Sequence, residues 1–455
     1  MSEPEPGFEP SRLSALRRGE KLLVMDRETG RSAYIPASSE PLLKLLALPA
    51  ERLTPELETL RTRVAGELRA QGIGAGSSPE PRHLNTVILK LTSACNYACT
   101  YCYDFEPEDA TTHLSVDMAL EAIAQALVLA PQGLQVIFHG GEPFLLFDRI
   151  EQIVLSARAL AARAGKRIEF TGQTNLSLLD ERSVRFSLEH QLHWGFSLDG
   201  PPRQNTLRVS KNGAATHGDF QQALERFPEF VRASAAMATI TAVNQEELLG
   251  LSRYFQGCGL RGWDWSLFQP IGRGRRQELS LDASRLVKAW NDLFDAVVDG
   301  EFDGFAVSPV LKYTGNFLFG PGRNMCLRRR CGAARDLLSV SANGRLEACD
   351  CIDPHGPLSN LGNLARVSLA QARQSEVARR IRSRDVTKGK CGHCIWLAVC
   401  GGTCMARSPN LHGVDELECQ VSLNAFDRIS ASLADSTRLR DYWSSLHARA
   451  DRGSP

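Results

Sequence analysis

The sequence predicts an α/β protein, an open and partial (β/α)6 barrel with a small unit before it and a cysteine-rich unit after it. From residue 85 onward, strand-like and helix-like stretches alternate six times, which is typical of parallel strands joined by helical crossovers. The second observation is a count of 13 cysteines in 455 residues. In a reducing cytosol such a count indicates metal or thiolate chemistry rather than disulfides.

Composition excludes several classes of protein. Hydrophobic residues make up 43% and charged residues 23% of the chain, a globular balance that argues against a disordered or fibrous protein. The 53 Lys and Arg against 52 Asp and Glu give a net charge of +1, so the chain is not built to coat nucleic acid or an anionic membrane. No apolar run approaches the ~18–20 residues of a membrane span, and the acidic, proline-rich start is unlike a secretory signal. We therefore expect a cytoplasmic protein with no nucleic-acid or membrane partner.

The N-terminal region predicts a small module ahead of the barrel. Residues 1–14 look like a disordered lead-in, and residues 15–72 contain two short strands, 21–26 and 31–35, followed by helical patterns. This order outlines a winged-helix-like unit for peptide recognition, and a plain N-terminal cap on the barrel fits the same pattern. Residues 73–84 are rich in Gly, Ser and Pro and indicate a linker.

Residues 85–304 form the predicted barrel, which is TIM-like in its repeating strand–helix units but two units short of closure. Its candidate strands are 86–91, 135–139, 167–173, 194–198, 235–243 and 263–269. The predicted helices are 115–130, 148–164, 180–190, 219–232, 245–256 and 282–298. Functional residues are expected in loops at the carboxyl ends of the strands.

Beyond residue 305 the repeating pattern ends, and cysteine, glycine and arginine become frequent. We expect a bridge over 305–325, then a domain over 326–421 held by metal rather than by a large core. A C-terminal helix and tail over 422–455 complete the predicted organisation.

The loop after the first barrel strand carries three cysteines in a C-x3-C-x2-C arrangement, Cys95, Cys99 and Cys102. Three thiolates on one short loop can hold three irons of a four-iron, four-sulfur cube and leave the fourth iron open to a small molecule. A closed Cys3His zinc site, with His83 or His113 as the fourth ligand, is the alternative that spacing alone leaves open.

This loop, with the aromatic residue Tyr101 before its last cysteine, resembles the signature of the radical S-adenosylmethionine (SAM) enzymes, and the resemblance continues in register over residues 86–270. It implies that a [4Fe-4S] cluster binds SAM and that reductive cleavage of SAM yields a 5′-deoxyadenosyl radical, which abstracts hydrogen from an unactivated C–H bond. It also implies a set of SAM-binding residues, most of which stand at the ends of the second, third and fourth strands. They are Tyr101, Gly140, Gly141, Glu142, Pro143, Asn175, Ser197, Asp199 and Arg208.

Eight further cysteines follow in a spacing that resembles the SPASM domain, which binds two auxiliary four-iron clusters. The resemblance therefore implies three [4Fe-4S] clusters in total, and a pair of zinc ribbons is the alternative. It assigns the first auxiliary cluster to Cys326, Cys331, Cys349 and Cys404, and the second to Cys391, Cys394, Cys400 and Cys419. Of the two cysteines left over, Cys258 is expected to be a small buried hydrophobe. Cys351 is expected to be inert or a stray thiol near the first auxiliary cluster.

Asp350 directly follows Cys349, and in related enzymes that oxidise peptide side chains an aspartate here is a candidate general base. SPASM enzymes mostly modify peptides, so the resemblance implies a maturase that installs an oxidative crosslink (C–C, C–S or C–O) in a ribosomally synthesised (RiPP) precursor peptide. A sulfatase-type formylglycine maturase is the alternative enzyme, and a non-catalytic iron–sulfur or zinc-binding module is the alternative of another class. The expected partners are the precursor peptide and a reducing electron donor such as flavodoxin or ferredoxin.

Anaerobic purification distinguishes these alternatives. The enzyme is expected to carry about twelve irons per chain, as three four-iron cubes require, and to cleave SAM reductively. Cys99→Ala is expected to abolish 5′-deoxyadenosine formation, because the SAM-binding cluster loses one of its three thiolates. Retained cleavage in Cys99→Ala would refute the assignment of the first cluster. Zinc in place of iron, with no brown colour, would support the binding module.

Overall fold

A computed structural model describes residues 10–74, 83–104, 111–322 and 326–450. Its strands are β1 Leu13–Arg18, β2 Lys21–Asp26, β3 Ser32–Pro36, β4 Thr86–Thr92, β5 Gly133–Gly140, β6 Arg167–Thr174, β7 Leu192–Ser197, β8 Ala235–Ile240, β9 Gly262–Leu267, β10 Ala306–Val307, β11 Leu337–Val340, β12 Arg345–Glu347 and β13 Asn360–Asn363. Its helices are α1 Glu40–Leu46, α2 Pro55–Ala70, α3 Val116–Leu129, α4 Phe147–Arg163, α5 Glu181–Glu189, α6 His217–Arg226, α7 Pro228–Ala233, α8 Leu248–Gly257, α9 Ala283–Val298, α10 Ser308–Phe319, α11 Leu369–Arg373, α12 Glu376–Arg382, α13 Leu397–Cys400, α14 Glu416–Asp435 and α15 Arg438–Ala450.

The barrel is an open parallel sheet, as predicted. Strands β4 to β10 lie side by side in chain order and pair in parallel. All six predicted strands are present, with ends shifted by at most three residues. The helix predicted over 219–232 is two helices, α6 and α7, because Pro228 cannot donate the main-chain hydrogen bond that would continue α6.

The predicted bridge over 305–325 contains regular secondary structure in its described residues and joins the barrel sheet. It holds β10, which pairs with β9, and the 12-residue helix α10. The chain returns to the sheet after α9 because the outer edge of β9 presents main-chain groups that need partners. Residues 323–325 lie outside the described part.

Strand β4 is buried at all seven of its residues because it has a neighbour on each side. One neighbour is β5, and the other is β11 from the cysteine-rich domain, which pairs with β4 in parallel. Strands β12 and β13 continue the sheet in antiparallel order. The barrel and the C-terminal domain therefore share one ten-stranded sheet.

The N-terminal module is a three-stranded antiparallel sheet in the order β1-β2-β3. The predicted disordered lead-in over residues 1–14 overlaps β1, because that strand begins at Leu13. Residues 1–9 lie outside the described part. The segment LSALRR has no clear alternation of apolar and polar residues, so its strand state depends on pairing with the buried strand β2. The winged-helix likeness stays a prediction.

The module is packed on both faces. On one face Val24, Leu46 and Leu68 form a small core with α1 and α2. On the other face Leu23 and Met25 belong to the main core of the protein. The predicted linker over 73–84 begins inside the module, since Ile73 is fully buried; residues 75–82 lie outside the described part.

The C-terminal helix predicted from residue 422 is two helices, α14 and α15, and α14 begins six residues earlier. They are separated at Ser436, whose backbone is extended. Phe426 of α14 packs against Tyr313 of α10 and Trp396, which fixes α14 between the barrel and the cysteine-rich domain. Within the described residues, no helix combines the length and the apolar character that crossing a bilayer requires.

Candidate active site

The three cysteines of the first cluster lie on the loop that follows β4, and their thiols are within electrostatic reach of one another. Burial raises the pKa of Cys95 to about 11 and that of Cys102 to about 12, so these sulfurs stay protonated without a metal. Metal binding supplies the positive charge that makes thiolate ligands stable in such a site. His113, a candidate fourth zinc ligand, has its Nδ1 bonded to Thr92 Oγ1 at 2.7 Å, and the other candidate, His83, is exposed. The donor set fits a three-thiolate site with an open position.

The loop after β5 lies directly against the cysteine loop. The Gly141 N–H donates to the Thr92 carbonyl at 2.7 Å, and the Glu142 N–H donates to the Ala94 carbonyl at 2.9 Å. A Cβ on Gly141 would stand 1.9 Å from the Ala94 carbonyl oxygen, so only glycine allows this approach. Pro143 then begins a short 3-10 helix that turns the chain into α4.

Glu142 is a buried carboxylate held by three donors. It accepts hydrogen bonds from Phe144 N at 3.1 Å, Thr174 Oγ1 at 2.7 Å and Asn175 N at 2.8 Å. Burial raises the pKa of Glu142 to about 7 despite these donors. A nearby ammonium group would favour the ionised form, so the site suits an amino group such as that of a methionyl moiety. The structure thus brings together the ends of β5 and β6 as the sequence predicted.

Tyr101 joins the cysteine loop to the end of β7. Its hydroxyl donates to Asp199 Oδ2 at 2.6 Å and accepts from Arg208 Nη1 at 2.9 Å. Although burial disfavours its charge, Tyr101, Cys99 and Asp199 raise the pKa of Arg208, which stays a cation beside the cysteine loop. Ser197, at the end of β7, accepts from Gln173 Nε2 at 3.0 Å. A buried cation in this place suits an anionic ligand such as a carboxylate.

A cavity of about 380 Å³ lies against the carboxyl-terminal halves of β5 to β9. Its wall combines the cysteine loop, the barrel strands and the C-terminal domain, through Tyr101, Tyr103, His139, Ser197, Phe268, Asp350 and Cys351. The cysteine loop and the predicted base therefore line the same cavity, which a single substrate can occupy.

Asp350 lies in a network that sequence analysis only partly predicted. Its Oδ2 accepts from the Tyr103 hydroxyl at 3.3 Å, and that hydroxyl lies 3.5 Å from His139 Nε2. Burial opposes the charge of Asp350, but His139 and Lys90 lower the pKa of Asp350 below its usual range. His139 stands at the end of a barrel strand, directly before Gly140, so the strand-end rule applied to every polar residue could have found it. Tyr103 carried no such signal.

Lys90 lies on the buried strand β4 and interacts electrostatically with Asp350 of this network. Its ammonium lies 2.5 Å from Asp104 and 3.2 Å from Glu347. Burial works against its charge, but Asp104, Glu347 and Asp350 raise the pKa of Lys90, which therefore stays protonated. Arg345 forms a second ion pair with Glu347 at 2.6 Å. Each buried charge here has a partner, as its location requires.

The four cysteines predicted for the first auxiliary cluster lie together. Cys326, Cys331, Cys349 and Cys404 are within electrostatic reach of one another. Cys351 stands beside them, since the donor atoms of Cys349, Asp350 and Cys351 all lie within 4.8 Å of one another. Cys351 therefore lies near the cysteines predicted for the first auxiliary cluster, which was one of the two expectations for it. The other expectation, that its thiol is inert, stays a prediction.

Three of the four cysteines predicted for the second auxiliary cluster, Cys391, Cys394 and Cys419, also lie within electrostatic reach of one another. Cys400 is buried at the end of α13, where its sulfur accepts from the N–H groups of Gly402 and Thr403. Its role as the fourth ligand stays a prediction. Cys258, predicted as a small hydrophobe, is partly buried at the end of α8 and packs against the main core.

Two family profiles match the chain. Residues 89–254 match the Radical SAM superfamily, and residues 331–395 match SPASM, an iron-sulfur cluster-binding domain. The serine-type anaerobic sulfatase-maturating enzyme of Klebsiella aerogenes is 27% identical over 351 residues, which cover 72% of this chain and 81% of that enzyme. The cysteine-type enzyme of Clostridium perfringens is 23% identical over 333 residues, covering 70% of this chain and 88% of that one.

Solved structures show the same fold. The structure of anSMEcpe with bound AdoMet superposes with a TM-score of 0.68 at 19% identity, over 80% of this chain and 99% of that chain. The structure of Streptococcus suis SuiB bound to precursor peptide SuiA superposes with a TM-score of 0.56 at 14% identity, over 91% of this chain and 99% of that chain.

The contact between the two loops gives a test of the site. Gly141→Ala is expected to prevent SAM binding and assembly of the cluster on the cysteine loop, because the added Cβ would collide with the Ala94 carbonyl. Iron is expected to fall from about twelve to about eight per chain, the content of the two auxiliary cubes. Gly257→Ala is the matched control, since nothing lies within 4 Å of a Cβ there. Full iron content and SAM binding in Gly141→Ala would contradict the assignment.

Proposed function

Because this chain is a radical SAM enzyme with a C-terminal SPASM domain, we propose that it installs an oxidative crosslink, C–C, C–S or C–O, in a ribosomally synthesised precursor peptide. The observation that carries the proposal is the shared cavity, in which Tyr101 and Tyr103 of the cysteine loop face Asp350 of the SPASM domain. A radical generated at the loop and a proton acceptor in the network of Asp350 would thus act on one substrate.

The residues around the cavity fit the three clusters and SAM that the family uses. Cys95, Cys99 and Cys102 would hold the SAM-binding cluster, and the two later sets of cysteines would hold the auxiliary clusters. The remaining cofactor contacts are assigned to Glu142 for the amino group, Asn175 for the ribose, and Arg208 with Ser197 for the carboxylate, within the set proposed above. When bound, the cofactor supplies a 5′-deoxyadenosyl radical that abstracts hydrogen from substrate carbon.

Crosslinking then needs a second oxidation and a proton acceptor. The substrate carbon radical bonds to a heteroatom or aromatic carbon of a second side chain, and one electron and one proton leave. The electron would go to the first auxiliary cluster, one of whose predicted ligands, Cys349, lies with its sulfur 3.4 Å from Asp350 Oδ1. The proton goes to the network that Asp350 anchors, where a general base contributes about 10²–10⁴-fold to rate.

The N-terminal module supports a peptide substrate. The superposition with anSMEcpe covers nearly all of that protein but leaves about a fifth of this chain unmatched. The superposition with SuiB leaves only about a tenth of this chain unmatched. SuiB was solved with a precursor peptide bound. In this chain β3 is an edge strand, and a leader peptide added to it would extend the sheet of the module.

Formylglycine formation is the second candidate. Sulfatase-maturating enzymes are among the sequence relatives, and Asp350 could serve either reaction as the base. The module that precedes the Radical SAM match is the feature that favours a leader-bearing peptide over a sulfatase. The proposed electron donor is flavodoxin or ferredoxin, and the proposed location is the cytoplasm.

The reaction can be tested by co-expressing the chain with a small precursor peptide encoded beside it. An oxidative crosslink removes two hydrogens, so the peptide is expected to lose about 2 Da per bond and to gain a bridged fragmentation pattern. A formylglycine product would instead react with hydroxylamine as an aldehyde. An unchanged peptide mass, with SAM cleavage intact, would contradict the proposal.

Peptide binding at the edge of β3 can be tested by substitution in the full chain. Deleting the module is less suitable, because Leu23 and Met25 of the module belong to the main core of the protein. The Asp26 N–H donates to the Arg31 carbonyl, so alternation points the Ser32 and Tyr34 N–H groups away from β2. Ser32→Pro removes one outward N–H and is expected to weaken peptide binding by about 3- to 10-fold, the effect of one hydrogen bond. Fluorescence anisotropy with labelled peptide measures it.

Ser32→Ala is the matched control, because it keeps the main-chain N–H and is expected to bind peptide like the parent. SAM cleavage without peptide should be equal in all three proteins. Equal peptide affinity of Ser32→Pro and Ser32→Ala would remove the strand-addition hypothesis.

A further inference from the structure

The substrate cavity contains a buried ring nitrogen without a partner. His139 ends β5, and its side chain lines the cavity. Among the described residues, no group hydrogen-bonds to His139 Nδ1, although that atom is buried. Buried polar atoms without partners are rare, so one in a cavity wall points to a ligand group that satisfies it.

The other ring nitrogen is oriented by the Asp350 network. His139 Nε2 lies 3.5 Å from the Tyr103 hydroxyl, which lies 3.3 Å from Asp350 Oδ2. An ionised carboxylate only accepts, so the Tyr103 hydroxyl gives its single proton to Asp350 and its oxygen accepts from His139 Nε2–H. The distances are those of a substrate-free site, in which catalytic hydrogen bonds are often long. This arrangement selects the tautomer in which Nδ1 carries the lone pair.

We infer that His139 is a catalytic residue of the proposed reaction and that its Nδ1 takes up the proton released as the crosslink forms. The inference rests on the proposed function and names the atom of the Asp350 network that meets the substrate. Asp350 acts through Tyr103 and His139, as the carboxylate of a nucleophile–base triad acts through its histidine.

The step balances in atoms and electrons. The substrate carbon radical forms a bond to the acceptor atom of a second side chain, and the X–H bond of that side chain breaks. One electron would leave to the first auxiliary [4Fe-4S] cluster, which Cys326, Cys331, Cys349 and Cys404 would hold and which would serve as the one-electron oxidant. The proton leaves to His139 Nδ1, and neither Tyr103 nor Asp350 changes its protonation.

Charged side chains surround Asp350. Two cations face three carboxylates in the connected cluster of Lys90, Arg345, Asp104, Glu347 and Asp350. Each side chain is held by packing or by an ion pair, so the field is in place before the substrate binds.

The test uses the full chain with all its clusters and the co-expressed precursor peptide. His139→Gln keeps a polar side chain toward Tyr103 but has no basic nitrogen. SAM cleavage without peptide is measured in parallel and is expected to lose less than the yield of modified peptide. Modified peptide formed per 5′-deoxyadenosine is expected to fall by about 10²-fold or more, the contribution of a general base.

Two further variants complete the test. His193→Gln is the matched control, since His193 is an exposed histidine on neighbouring β7, and it should behave like the parent. In His139→Ala, added imidazole is expected to restore modification in proportion to its concentration, which a purely structural role would not allow.

Specific results would overturn the inference. One is an unchanged product ratio in His139→Gln while Asp350→Asn is inactive, which would make Asp350 the direct base. Another is an equal loss of SAM cleavage without peptide, which would make His139 a support of the cofactor site. Absence of modified peptide with the parent enzyme would instead overturn the proposed function, and with it the reaction assigned to His139.

Discussion

The parallel pairing of β11 with β4 is the constraint on which the geometry of the site depends. Strand β4 is buried along its whole length, so its main-chain groups need strand partners on both sides. The partner on one side comes from the SPASM domain. The chain that leaves β12 then carries Asp350 and Cys351 to the cavity wall, which also includes Tyr101 and Tyr103 of the loop that follows β4. One sheet thus holds the cysteine loop and the segment that carries Asp350 in a fixed relation.

Charge compensation inside this junction is the second requirement. Lys90 is buried in the middle of the shared sheet, and its carboxylate partners come from the cysteine loop and from β12. Leaving such a buried ion without its partner costs about 3–5 kcal/mol, so the two halves are electrostatically dependent on each other. Lys90 also lowers the pKa of Asp350. Stability of the junction and the ionised state of Asp350 therefore depend on the same residue.

The N-terminal module packs directly against the rest of the protein and forms hydrogen bonds with it. Its central strand contributes to the main core, Arg18 bonds to Ser430 of α14, and Arg27 donates to the Gly392 carbonyl between two predicted cluster ligands. A peptide held at the β3 edge would be held by a body that is rigidly connected to the SPASM domain. This geometry suits a leader that positions the modified segment at the cavity by its length.

Much of the architecture and of the cofactor site followed from the sequence alone, because those features are local. Each strand–helix unit has its own hydrophobic period, and Cys95, Cys99 and Cys102 share one loop, as do Gly140, Gly141 and Glu142. Spacing along the chain is then enough to indicate the chemistry.

Only the tertiary structure decided which distant segments meet. Strand β1 and the placement of β11 depend on pairing with partners elsewhere, and β-strand state follows its neighbours more than its own residues. Tyr103 and Asp350 are 247 positions apart, and no local pattern connects them to His139. The sequence determined the strand–helix units and indicated the candidate ligands. Long-range main-chain pairing and buried charge determined the cavity beside them, since those forces join residues that no short window contains.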